Sequence, residues 1–132
     1  MEKSLIILKP DCMQRKLVGK VISRLENAGL NPIACKIMQL DDDILVEHYA
    51  HLTHLPFFPE VVEFMISTPV MVMIFEGENA VERMRNILGP TDSQKAPAGT
   101  IRGDFGLDKT HNIAHASDSK DSAEEEIARF FK

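Results

Sequence analysis

His115 stands between a short apolar stretch and a run of small polar residues, in the sequence NIAHASDS over residues 112–119. A histidine packed in a core has apolar neighbours on both sides; this one reads as a side chain held at a strand end and aimed at something. Ser117 and Ser119 offer hydroxyls, and a helix beginning just after them would turn its N-terminal N–H groups toward an anion. Glu126 follows eleven residues after His115. From that helix it can return to orient the imidazole and fix its tautomer, as nucleophilic catalysis by histidine requires. Alone, Glu126 reads equally as a solvated helix carboxylate.

Basic residues supply the counter-charge. Lys9 ends the first apolar run, directly before Pro10, where its side chain would emerge from the sheet edge. Arg85 lies on a helix face away from Met84 and Leu88, and Arg102 stands in a long loop between Thr100 and Gly103. Each by itself is an ordinary surface charge. Gathered on a chain of net charge -5, they would form a polyphosphate clamp, because guanidinium groups match phosphate oxygens two at a time.

Other candidates carry less. His48 and His51 would be neighbours on a helix, but His54 lies close to the break at Pro56 and no Cys or acidic residue has ligand spacing. All three read as solvated helix-face histidines, and a metal hydrolase built on His48 and His51 would lack a third ligand. No Gly-rich phosphate loop ending in Lys-Ser/Thr is present, nor a G-x-G-x-x-G opening a helix. Asp104 to Gly106 spell the Asp-Phe-Gly triplet of protein kinases, but the chain has half the necessary length and no catalytic loop of that kind.

The elements that must position these residues follow from the apolar pattern. Ser4 to Leu8 reads as a central strand, Ile33 to Leu40 as a second, Val70 to Phe75 as a third and NIAH as a short fourth. Leu17 to Ala28 keeps helical spacing and closes at Gly29. Asp41 to Asp43 cap a helix through about Tyr49, Pro56 and Pro59 break it from a further helix over EVVEFMI, and Ala80 to Leu88 forms another, ended by Gly89-Pro90. A last helix starts near Ser119 to Ser122 and buries Ala123, Ile127, Phe130 and Phe131. Residues 89–111 lack periodicity; a loop that long in a compact domain is usually functional. Without the extra helical pair the order is βαββαβ plus a terminal helix. The expected fold class is α+β: a ferredoxin-like (split βαβ) arrangement, one four-stranded antiparallel sheet covered by helices on one face, in a single domain over 1–132.

Composition agrees with that fold and narrows the function. The chain has 132 residues, 44% of them apolar, enough for a packed core without staples. Its acidity argues against general nucleic-acid binding through a basic surface. Cys12 and Cys35 read as two free buried thiols of a reducing compartment, and no apolar run approaches a membrane span, so the expected location is cytoplasmic.

With these residues assembled, the chain resembles the nucleoside diphosphate kinases from end to end. LKPD (Leu8 to Asp11) is similar to the family's first-strand motif, HYAHLTHLPFF to its substrate-binding helical pair, and GPTDS and GTIRGDF to its long loop. NIAHASDSKDSAEEEI resembles its active-site signature, N-x-x-H-[GA]-S-D followed by S-A-x-x-E-I. The resemblance implies ping-pong transfer of the γ-phosphoryl group of a nucleoside triphosphate, typically ATP, to His115, and from phosphohistidine to a nucleoside diphosphate. It implies that Lys9, Arg85 and Arg102 hold the β- and γ-phosphates, that Tyr49, Thr91 and Asn112 contact phosphate or sugar, that Phe57 stacks on the base, and that Ser117 and Glu126 support His115. It implies Mg²⁺ carried by the nucleotide phosphates without direct protein ligands, and a homo-oligomer, tetramer or hexamer. Ala116 stands where the family often has glycine, His51 at a helix position that is often acidic, and Lys109 where an apolar residue often helps clamp the base. The rival reading on the same fold is a non-catalytic nucleotide-binding module.

Overall fold

The computed structural model describes every residue from Met1 to Lys132. Strand β1 (Glu2–Leu8) lies inside the sheet, between β3 (Val70–Gly77) and β4 (Ala114–Ala116), while β2 (Asn31–Met38) forms the far edge beside β3. The order is β2-β3-β1-β4 and every neighbouring pair is antiparallel. This is the βαββαβ arrangement expected from the sequence. Leu5, Ile6, Ile7 and Leu8 are all at most 1% exposed. Side chains alternate across a strand, so an unbroken buried run requires cover on both faces.

The structure supplies that cover, and corrects the expectation of helices on one face only. Ile6 and Leu8 join a core with Val21 and Leu25 of α2 (Val18–Asn27) and with Met84 and Leu88 of α5 (Ala80–Leu88). Leu5 and Ile7 face the other way, into a second core with Leu45 of α3 (Asp42–His48), Met65 of α4 (Phe58–Ile66) and Phe130 of α7 (Lys120–Phe130). The crossover helices thus share one face. The inserted helical pair and the terminal helix seal the other.

Local chemistry sets the helix starts. Asp41 accepts from the Ile44 N–H at the head of α3, and Ser119 accepts from the Ser122 N–H at the head of α7. Short elements escape periodicity: α1 (Pro10–Gln14), α6 (Ile101–Phe105) and single 3₁₀ turns at Ala50–Leu52 and Ser93–Lys95. The last of these and α6 lie in the stretch expected to be an aperiodic loop. Cys12 is buried, but Cys35 is exposed, contrary to the expectation of two buried thiols. The reason is that β2 is an edge strand, which also explains how it tolerates Pro32 beside a register shift.

Candidate active site

His115 occupies the centre of β4, the shortest strand, paired opposite Ile7. A tight turn delivers the chain to it. Ile113 has φ 78 and the Ala114 N–H donates to the Asn112 carbonyl at 2.9 Å. This is a three-residue γ-turn, an unfavourable conformation for a β-branched residue. It is held by buried Asp11, whose Oδ2 accepts from the Ile113 N–H at 3.0 Å, and by the Lys9 N–H, which donates to the Ile113 carbonyl. Asp11 had no role in the sequence reading beyond its place in LKPD. Its only sequence signal is a carboxylate placed directly after a strand and a proline.

The imidazole is fixed from one side. His115 Nε2 lies 2.9 Å from Glu126 Oε1, and the Ser117 hydroxyl donates to the same oxygen at 2.7 Å. Burial of Glu126 favours its neutral form, but the hydrogen bonds from His115 and Ser117 and the electrostatic pull of the two neighbouring imidazoles outweigh burial and hold the carboxyl below its ordinary pKa. An ionised carboxylate can only accept, so Nε2 carries the hydrogen and Nδ1 keeps the lone pair. Nδ1 has no partner within the chain.

The residue opens into a cleft of about 1310 Å³, ample for a nucleotide. Lys9, Tyr49, Phe57, Arg85, Thr91, Arg102, Asn112 and Glu126 all line this cleft with His115, and Ser117 lies buried behind it. The structure therefore brings the sequence-predicted residues to one place.

Their states differ. Lys9 does not emerge from a sheet edge; it is 7% exposed, at the end of a strand inside the sheet. Its ammonium donates to the Thr110 carbonyl and to Asn112 Oδ1, both at 2.8 Å, and burial lowers its pKa to about 8. Arg102 is buried too. Its guanidinium donates to the carbonyls of Asn112, Gly89 and Ala114, which leaves two of its five N–H groups for a ligand. Burial, then repulsion from Arg85, lowers its pKa to about 10, so it remains a cation at neutral pH. Thr100 caps the helix that carries it, and a Cβ on Gly103 would meet the Pro97 carbonyl oxygen at 2.0 Å. Only glycine fits beside Arg102. Arg85 is more open and pairs with Asp118, a partner absent from the sequence reading. Burial, then Glu126, pushes the Tyr49 phenol up to about 12, so it stays a donor.

His48 departs from expectation. His51 and His54 are exposed, as expected of solvated histidines, but His48 is buried, with its ring edge-on to that of His115 at 4.6 Å between centroids. The reason is helical spacing: His48 lies three residues after buried Leu45, on the face that packs against the sheet. One donor nitrogen of His48, one of His115 and a Glu126 oxygen lie within 4.8 Å of one another. They make a poor cation site, since the Arg129 guanidinium donates to His48 Nδ1 at 2.9 Å and brings its own positive charge. The His48–His51 metal reading accordingly has no support in the geometry.

Comparison with known proteins gives this arrangement its context. Residues 2–132 match the family model described as nucleoside diphosphate kinase. The chain is 47% identical over 130 residues to a nucleoside diphosphate kinase of Methanobrevibacter smithii, covering 98% of this chain and 87% of that one. It is 46% identical over 132 residues to one from Bacillus cereus, covering 100% and 89%. Among solved structures, the halophilic nucleoside diphosphate kinase of Halobacterium salinarum in complex with CDP superposes with a TM-score of 0.96 at 44% identity, covering 99% of this chain and 88% of that one. The apo enzyme of Encephalitozoon cuniculi gives 0.96 at 42%, covering 98% and 88%.

Proposed function

Since the chain belongs to the nucleoside diphosphate kinase family, and its activity is phosphoryl transfer from a nucleoside triphosphate to a nucleoside diphosphate, we propose that His115 carries the phosphoryl group between the two. The observation that carries this reading is the state of the ring: Nε2 is bound to Glu126 and Nδ1 is free on a residue that lines the cleft.

The Nδ1 lone pair attacks the γ-phosphorus. An N–P bond forms as the bond from that phosphorus to the bridging oxygen breaks, and the electron pair leaves with the nucleoside diphosphate. No proton needs to move: the ring keeps its Nε2 hydrogen and becomes cationic, and the Glu126 carboxylate at 2.9 Å offsets the new charge. A β-phosphate oxygen of a second diphosphate then attacks the phosphohistidine in the reverse sense. Lys9, Arg85 and Arg102 take the phosphate charge, the main demand of such a transfer. Tyr49, Thr91 and Asn112 contact phosphate and sugar. Phe57, 46% exposed at the cleft rim, offers a face on which any base can stack, so the substrates include ATP, ADP, GTP and GDP alike.

The nucleotide brings Mg²⁺. The carboxylates nearest the chemistry are engaged, Glu126 with His115 and Ser117, and Asp118 with Arg85. This donor set fits a cation held by the phosphates and its own waters, with no direct protein ligand. Bound there, it would neutralise phosphate charge. We further propose that 1–132 acts as one nucleoside diphosphate kinase-like domain and that copies assemble as a homo-oligomer, a tetramer or hexamer. The open edge of β2, where Ile33 and Ile37 are 46% and 61% exposed, supports assembly. No helix is long and apolar enough to cross a membrane. The free thiols suit the cytoplasm.

Intact mass tests the central step. Mixing the protein with Mg-ATP should add one phosphoryl group, labile to acid and removed by GDP. An unchanged mass with nucleotide bound would favour the non-catalytic module.

A further inference from the structure

Glu126 and Ser117 fix Nε2 of the His115 ring, and a further side chain, His48, packs against the ring itself. It is 7% exposed, its ring stands at 84° to that of His115, and it also meets Phe130 edge-on at 5.3 Å. Burial is the first cause, and the charges of His115, Arg129 and His51 add to it, in holding the His48 pKa at about 3, against the pull of Glu126. The ring is therefore neutral and carries one hydrogen.

Arg129 decides which nitrogen carries it. The guanidinium has donors only, and its Nη1 lies 2.9 Å from His48 Nδ1. Nδ1 must accept, so the hydrogen sits on Nε2. That N–H is buried and has no partner in the chain. Arg129 also forms an ion pair with Glu47, its Nε 3.4 Å from Glu47 Oε1, although that N–H makes no hydrogen bond. A charge with its guanidinium largely buried, 13% exposed on its side chain, is an expensive way to pack two helices. The opposite tautomer would set an N–H of His48 against the N–H groups of Arg129 and turn the ring away from His115.

We propose that Arg129 is a positioning residue for phosphoryl transfer, acting through His48: it locks the Nε2–H tautomer of His48 and so keeps that ring edge-on against His115. Arg129 and His48 then form a second support for the nucleophile, carried by α7 and α3 and separate from the hydrogen bonds of Ser117 and Glu126. A ring nitrogen of His48 lies within 4.8 Å of the Glu126–His115 pair. This inference rests on His115 as the phosphoryl acceptor.

The ¹⁵N shifts of His48 in the folded protein give the first test. A signature of hydrogen on Nε2 is expected; hydrogen on Nδ1, or a doubly protonated ring, at neutral pH would overturn the proposal. That reading needs no activity, so it stands apart from the acceptor role of His115. Next, the rate at which Mg-ATP phosphorylates His115 is measured by rapid-quench intact mass. Arg129→Met should slow it about tenfold, the usual scale for groups that orient a reacting ligand, with KM for nucleotide within about twofold. An unchanged rate, or a loss confined to KM, sinks the idea. Arg129→Met should cost nothing further in a His48→Phe background; an additive loss would show that the arginine acts by another route. Should Arg129→Met fail to fold, Arg129→Gln, which retains a donor, takes its place with a smaller expected loss. A wild type that never gains a phosphoryl group would instead refute the acceptor role, whatever the tautomer.

Discussion

The inner end of the cleft and its rim are built on different terms. At the inner end, around His115, the side chains are already bonded to the protein: Glu126 to His115 and Ser117, Lys9 to Thr110 and Asn112, Arg102 to three carbonyls. At the rim, Phe57 is 46% exposed, and Lys109 and Thr91 line the cleft through a loop tied down by Asn112. The two arginines show the same division, Arg102 buried among carbonyls and Arg85 more open, beside Asp118. Groups held in place before a ligand arrives lose little freedom in the transition state, whereas groups free at the rim contribute to holding substrate and transition state alike. Substitutions at the inner end should therefore lower kcat, with loss of affinity as well where a phosphate-binding cation is removed, and those at the rim should raise KM alone.

The largest expected effect is at His115. His115→Ala should abolish exchange between ATP and GDP and remove the added mass, while ADP still binds and the far-ultraviolet circular dichroism is unchanged. Retained exchange would mean that another group accepts the phosphoryl, and the inner end would lose its meaning. Glu126→Gln comes next. The amide still orients the ring but cannot offset the charge of the phosphorylated imidazole. A 10- to 100-fold loss in kcat is expected, with some phosphohistidine chemistry retained. An equal rise in KM would erase the distinction between the two ends.

The distinction was partly legible before the structure. Four strands and the long helices follow from apolar runs and spacing, because those elements bury continuous faces. The site residues followed from chemistry and from the resemblance of NIAHASDSKDSAEEEI to a known signature. What stayed hidden depends on contacts between segments distant in sequence. Asp11 matters because it meets Ile113, and Arg129 because it meets His48, eighty-one residues away in the chain. No local pattern marks such pairs. His48 could have been recognised, since it shares the buried face of Leu45. The second helical layer was implicit in the four buried apolar residues of β1, and the exposure of Cys35 was not, because strand order decides which strand is the edge. Helices of five residues such as α6 hold too few turns to show a period.

Rim substitutions should act on binding alone. Phe57→Ala removes the stacking face, and loss of one base stack corresponds to about a tenfold rise in KM for both diphosphate and triphosphate. The maximal rate should stay within about twofold. Steady-state kinetics with ATP and several acceptors would show it, and a fall in kcat instead would place Phe57 among the positioning groups. Phe57→Tyr should restore KM, because the ring face is what the base requires.

The smallest effect, and the finest test, concerns Lys9. Its pKa in the fold is about 8 against an ordinary 10.5, with burial the main cause. Below pH 8 the lysine is charged in both folded and unfolded chains, and the cost of burying that charge is fully present. Between 8 and 10.5 the unfolded chain binds a proton that the folded chain lacks, so stability rises with pH across this window. Binding runs the other way. Phosphate needs the ammonium, which the free protein loses as pH passes 8, so ADP affinity should fall about fourfold between pH 7 and 8.5. Calorimetric titration and denaturant unfolding at the same pH values would record the two opposed trends. Lys9→Met should flatten both. If affinity were level to pH 9 in the wild type, the ammonium would be held by more than burial allows, and Lys9 would belong with the open cations of the rim.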